Sequence, residues 1–129
     1  MHQQVIIVGH VGKEPHCQYT SSGTAVTKFS VATSESYTAD GERQTKTTWW
    51  QVTTWRKLAE VCNEHVTKGM LVMCVGTMQS DENGNPRIWT GNDGKARASH
   101  ELTAQVVRFL SSKHGETPNA APDGDDLPF

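Results

Sequence analysis

Short apolar runs separated by turn residues make up most of the chain, and only one segment has helical spacing. Val5-Ile6-Ile7-Val8 predicts a strand, stopped by Gly9 and Gly12. Ser22-Gly23 predicts a turn. Thr24 to Thr33 is rich in β-branched residues, with Phe29 and Val31 on one face and Lys28 and Ser30 on the other. A polar loop is expected from about Ser36 to Gln44, turned at Asp40-Gly41, before a second long strand from Lys46 to Trp55. Leu58, Val61, Cys62, His65 and Val66 form one apolar stripe at helical spacing. His65 therefore reads as a packed core histidine, and Gly69 as the C-terminal stop. Met70 to Val75 is the next strand. Asn83-Gly84 and Asp93-Gly94 bracket another from Pro86 to Thr90, and Glu101 to Phe109 closes the set. The fold class is all-β with one helix. The order predicts a five-stranded Greek-key OB-fold barrel with extended hairpins over residues 1–111, and a disordered acidic C-terminal tail over 112–129.

Charge alters this picture only when divided along the chain. The formal net charge is −2. Residues 1–110 carry 11 Lys and Arg against 10 Asp and Glu, whereas residues 111–129 carry one Lys against four acids. The folded part is thus nearly neutral, and any basic surface must be local. Cys17, Cys62 and Cys74 are odd in number and widely spaced, which argues against a disulfide framework or zinc site and for a reducing cytosol. No apolar run reaches membrane-spanning length, and no signal-peptide pattern is read at the N-terminus.

The candidate chemistry lies in Trp49-Trp50-Gln51-Val52-Thr53-Thr54-Trp55. In a strand, Trp50, Val52 and Thr54 share one face, suited to the interior or a subunit contact. Trp49, Gln51, Thr53 and Trp55 share the other. Two indoles spaced by small polar groups suit base stacking better than a core. Arg56 and Lys57 follow directly. Trp89 stands beside Arg87, with Lys95 and Arg97 past the next turn, and Tyr37 opens a loop that holds Lys46 near its end. Aromatic rings interleaved with cations point to stacking plus phosphate neutralisation. No catalytic constellation, phosphate loop or metal-ligand spacing is present, so neither an enzyme nor a cofactor is expected. In the tail, Asp123, Asp125 and Asp126 precede Leu127, Pro128 and Phe129, an apolar tip that reads as bait for another protein.

The chain resembles the bacterial single-stranded DNA-binding protein family. The resemblance rests on Val5 to Gly9 with Gly12, Ala32 to Tyr37, Trp49 with Lys57 to Val61, Lys68-Gly69, Trp89-Thr90 and the Asp125 to Phe129 tip. It implies an OB-fold, usually assembled as a homotetramer, that binds and protects single-stranded DNA in replication, recombination and repair within the bacterial cytoplasm, in association with the nucleoid. It also implies stacking aromatics at Tyr37, Trp49, Trp55 and Trp89, and recruitment of replication and repair proteins through the tip. The alternative is a primosome or phage accessory protein on the same barrel, acting mainly within a protein assembly.

Overall fold

The computed structural model describes residues 1–111; the expectations for the tail, from disorder to partner binding, lie outside that range. The elements are β1 (Val5–Val11), β2 (His16–Tyr19), β3 (Ala25–Ala39), β4 (Glu42–Trp55), α1 (Arg56–His65), β5 (Leu71–Met78), β6 (Ile88–Thr90), β7 (Ala96–Ala98) and β8 (His100–Phe109). Six strands form one sheet in the order β1-β5-β8-β4-β3-β2. An additional β1–β3 pairing at His10 and Val11 closes five of them into a barrel. The β4–β8 pairing is parallel and the others are antiparallel. This is the expected OB-fold. β6 and β7 form a separate two-stranded sheet.

Alternation along β3 and β4 fills the barrel. Phe29, Val31 and Val52 are buried among Val11, Val72 and Leu102. Thr54 is buried as well, because its hydroxyl donates to the Thr27 carbonyl at 2.9 Å. Thr27 in turn donates to the Ala59 carbonyl at 2.8 Å, which ties α1 across the barrel end.

Several boundaries differ from the sequence expectations. β1 does not stop at Gly9. A Cβ there would lie 2.1 Å from the Ala32 carbonyl oxygen, so this glycine permits close approach of β1 to β3 rather than a turn. The expected polar loop from Ser36 to Gln44 is the far end of a continuous β3–β4 ribbon, paired out to Ala39–Glu42. Asp40 and Gly41, at φ 54° and 78°, make its two-residue turn. This stretch is exposed on both faces, so it carries no apolar alternation by which a strand could be read. β2 and β7 carry no apolar alternation for the same reason. The helix ends at His65, ahead of Gly69, because extended backbone at Val66 takes that side chain into the core. His65 is not a core residue; it is exposed, with its ring 5.9 Å from that of Phe109.

Candidate nucleic-acid interface

The outward face of the β3–β4 ribbon carries the site. Trp49, Gln51, Thr53 and Trp55 lie opposite Ala32, Ser30, Lys28 and Val26. Trp49 is 51% exposed and Trp55 40%, so about half of each indole faces solvent although both neighbouring inward positions are filled. Trp50 points the other way. It is half-buried against the core, and its indole Nε1 donates to Thr33 Oγ1 at 3.2 Å.

Three adjoining hollows run along this face. The first, about 250 Å³, lies between Trp49, Gly12, Lys13 and Gln51. The second, about 200 Å³, shares Lys13 and Gln51 and adds His16 and Lys28. The third, about 240 Å³, continues from Lys28 to Thr53, Trp55 and Gln79. Shared walls make them one groove. Gln79 also borders a fourth hollow of about 290 Å³ at the root of the β6–β7 hairpin. The groove thus presents stacking surfaces, ammonium groups and small amides or hydroxyls that donate and accept equally well.

Lys13 and Lys28 are absent from the sequence-derived set. Lys28 was legible as an outward residue, but its place opposite Thr53 depends on a register that no local pattern states. Arg56 and Lys57 are exposed at the start of α1, next to Trp55. Arg56 has φ 58°, the corner at which the chain leaves β4 and enters the helix without a loop.

Other candidates are arranged differently from expectation. Tyr37 and Lys46 are exposed, but the register puts them on the side of the ribbon that carries Trp50. Trp89 is 37% exposed on β6, which pairs only with β7. Arg87 is not a free cation. Its Nη2 and Nε donate to Glu101 Oε2 at 2.6 and 3.0 Å, and its guanidinium carbon lies 5.0 Å from the Trp89 ring centroid. Arg97 is likewise paired with Asp93 at 2.6 Å. Lys95 sits in the β6–β7 turn, exposed, and forms no ion pair among the described residues.

Burial alone would raise the Glu101 carboxyl. Hydrogen bonds from Arg87 and Ser99, with the attraction of Arg87 and Lys28, outweigh it and hold the group below the usual carboxylate range. Burial pushes the Cys62 and Cys74 thiols up to about 11 and about 12, which makes them inert packing groups. Among the described residues, no group of three or more His, Cys, Asp or Glu is arranged to hold a metal, and no helix is long and apolar enough to cross a membrane.

Residues 2–110 match the model of the single-strand binding protein family. The chain belongs to this family. Its relatives include the single-stranded DNA-binding proteins of Neisseria meningitidis serogroup A, 36% identical over 120 residues, and Thermotoga maritima, 32% identical over 126 residues. These alignments cover 92% and 97% of this chain. The chain spans 65% of the Neisseria protein and 85% of the Thermotoga protein. The fold is also similar to that of the Plasmodium falciparum SSB solved with ssDNA, at a TM-score of 0.68 and 22% identity. That comparison covers 86% of this chain and 96% of the other.

Proposed function

We propose that this chain binds single-stranded DNA without sequence preference, as a non-catalytic module. The carrying observation is the pair of half-exposed indoles, Trp49 and Trp55, on one continuous groove that also holds Lys13 and Lys28. Every base has a face to stack, and every nucleotide has a phosphate. Such a groove therefore grips the strand without distinguishing the base. Gln51, Thr53 and Gln79 keep that tolerance, because an amide or hydroxyl can donate to one base edge and accept from another. Arg56, Lys57, Lys46 and Lys95 extend the phosphate contacts, and Trp89 and Tyr37 carry stacking onto the hairpin and the ribbon tip. Arg87 and Arg97 have internal carboxylate partners and act by shaping the β6–β7 hairpin.

Base stacking on an aromatic ring is worth roughly 1–3 kcal/mol by alanine substitution, a range that includes single-strand binders of this same fold. Trp49→Ala, Trp55→Ala and Trp89→Ala should each weaken oligo-dT binding by about 5- to 150-fold at fixed salt. The fluorescence of the wild-type protein should be quenched by oligo-dT. Three variants that all bind like wild type would refute the stacking assignment.

Two further readings complete the proposal. The first is assembly as a homo-oligomer, with the tetramer number taken from the family resemblance. β1 pairs with β5 along one edge but meets β3 only around Gly9 to Val11, so Val5 to Val8 keep an open edge among the described residues. Ile6 on that strand is 58% exposed. An open apolar edge is suited to pairing with a second copy, and light scattering that gave a monomer mass at micromolar concentration would oppose it. The second concerns Asp123 to Phe129. Their acidic run and apolar tip suit a basic partner surface with an apolar pocket, of the kind used by replication and repair proteins. Deleting Leu127 to Phe129 should abolish partner binding and leave oligo-dT affinity unchanged or slightly raised; loss of DNA affinity would place the tip in the DNA site instead.

A further inference from the structure

The β6–β7 hairpin pairs only with itself, and a hollow of about 290 Å³ separates its root from the barrel. Its strands are exposed at every position. Ile88 is 67% exposed and Trp89 37%, so apolar burial by these strands is confined largely to the Trp89 ring, which Arg87 covers in part. One polar cluster spans the gap. Glu101, on β8 of the barrel, is buried, and its Oε2 accepts from Arg87 Nη2 at 2.6 Å, Arg87 Nε at 3.0 Å and Ser99 Oγ at 2.9 Å. The Glu101 carbonyl accepts from Gln79 N–H at 2.9 Å, which fixes the backbone beneath the carboxylate. Arg87 then lies against the Trp89 ring, at 5.0 Å from its centroid.

We propose that Glu101 is a positioning residue for Trp89: through Arg87 it latches the β6–β7 hairpin to the barrel and holds the indole where a bound strand can stack on it. The proposal rests on the stacking role of Trp89. A planar guanidinium suits the task because one face covers the indole while its edge makes two hydrogen bonds to the carboxylate. A lysine could supply the charge but not the fork or the flat surface. The latch also opposes simple electrostatics. Glu101 is close enough to Lys28 to be influenced by its charge, so neutralising it makes the groove more positive. An effect of charge alone would tighten DNA binding, whereas loss of the latch weakens it.

The experiment combines Glu101→Gln, and separately Arg87→Lys, with and without Trp89→Ala. Affinity for oligo-dT is measured at about 0.3 M salt, where single charges are strongly screened, and amide exchange is followed in the hairpin and the barrel. Each latch variant alone should weaken binding by roughly 3- to 10-fold, and by no more than Trp89→Ala does. In the Trp89→Ala background neither should weaken it further. Exchange at residues 88–98 should speed up while β1 and β5 stay protected. Arg87 is half exposed, so its variant tests the latch even if Glu101→Gln fails to fold. Equal losses in both backgrounds, a gain in affinity, or unchanged hairpin exchange would overturn the latch. Wild-type binding by Trp89→Ala alone would instead refute the stacking role on which the latch rests.

Discussion

Gly12→Ala separates the position of Trp49 from its presence. A Cβ at residue 12 would lie 2.4 Å from Cζ3 and 2.9 Å from Cη2 of the Trp49 indole. Ordinary contact begins near 3.4 Å, so the ring edge must retreat by about 1 Å. Gly12 is not among the positive-φ residues, so the backbone accepts alanine, and its N–H bond to the Ser30 carbonyl at 2.9 Å is retained. The group that moves is the tip of a half-exposed side chain, so stability should change by less than about 1 kcal/mol. The consequence for binding is larger. A gap of 0.5–1 Å forfeits about a quarter to a half of a dispersion well. Applied to a stacking energy of roughly 1–3 kcal/mol, this gives a loss of about 0.3–1.5 kcal/mol, or roughly 2- to 12-fold in Kd. Fluorescence titration with oligo-dT, alongside Trp49→Ala and a thermal melt, would measure it. The same change in the Trp49→Ala background should have no effect. If Gly12→Ala binds like wild type while Trp49→Ala loses affinity, the placement of the ring over Gly12 has no bearing on binding and the reasoning fails.

Lys28→Ala should flatten the dependence of log K on log salt by about 0.7, the contribution of one phosphate contact on a single strand, whereas Arg97→Ala should leave the slope unchanged because Asp93 already neutralises it. An unaltered slope for Lys28→Ala would remove it from the phosphate path. Arg56→Gly should stabilise the fold by up to ~1 kcal/mol in urea titrations, since left-handed backbone costs an L-residue about 1–2 kcal/mol and glycine returns about 0.5–1 of it as entropy. It should also weaken oligo-dT binding by about 2- to 5-fold, so stability and affinity should move in opposite directions. Glu101 has a depressed pKa in the fold, so its stabilising contribution is full above the unfolded value and is lost as pH falls through the lower folded value. Hairpin amide protection, corrected for intrinsic exchange, should be flat from about pH 5 to 8 and fall only under stronger acid; a loss near neutral pH would contradict the pairing.

The barrel was legible because its core strands obey simple alternation. Phe29 and Val31 face Val52 across β3–β4, and a strict period of two placed Trp49 and Trp55 outside without knowledge of any partner strand. The outer ribbon, β2 and β7 are exposed on both faces, and there the alternation vanishes. Lys28 shows a second limit: its outward direction followed from its neighbours, but its position beside Thr53 and Trp55 followed only from register. Arg87 and Glu101 show a third. They are 14 residues apart with two strands between them, so the contact that pairs Arg87 with a buried carboxylate leaves no local trace.

Those paired arginines also bear on how a nearly neutral barrel would hold a polyanion, as proposed for it. The segment 1–110 carries only one more base than acid. Two of its arginines are paired with carboxylates, Glu101 and Asp93, which weakens the field of each partner at the surface. Lys13 and Lys28 remain along the groove, with Glu14 the only acid beside them in its lining. On the proposed reading the groove itself neutralises few phosphates, and Arg56, Lys57, Lys46 and Lys95 outside it would supply most of the salt-dependent affinity. Within the groove, the grip would then come chiefly from the rings. The placement of Trp49 over Gly12 and of Trp89 beneath Arg87 would then matter alongside charge, because stacking depends on contact geometry that a diffuse field does not require. On this reading, Gly12 and the Arg87–Glu101 pair set the aim of the stacking rings.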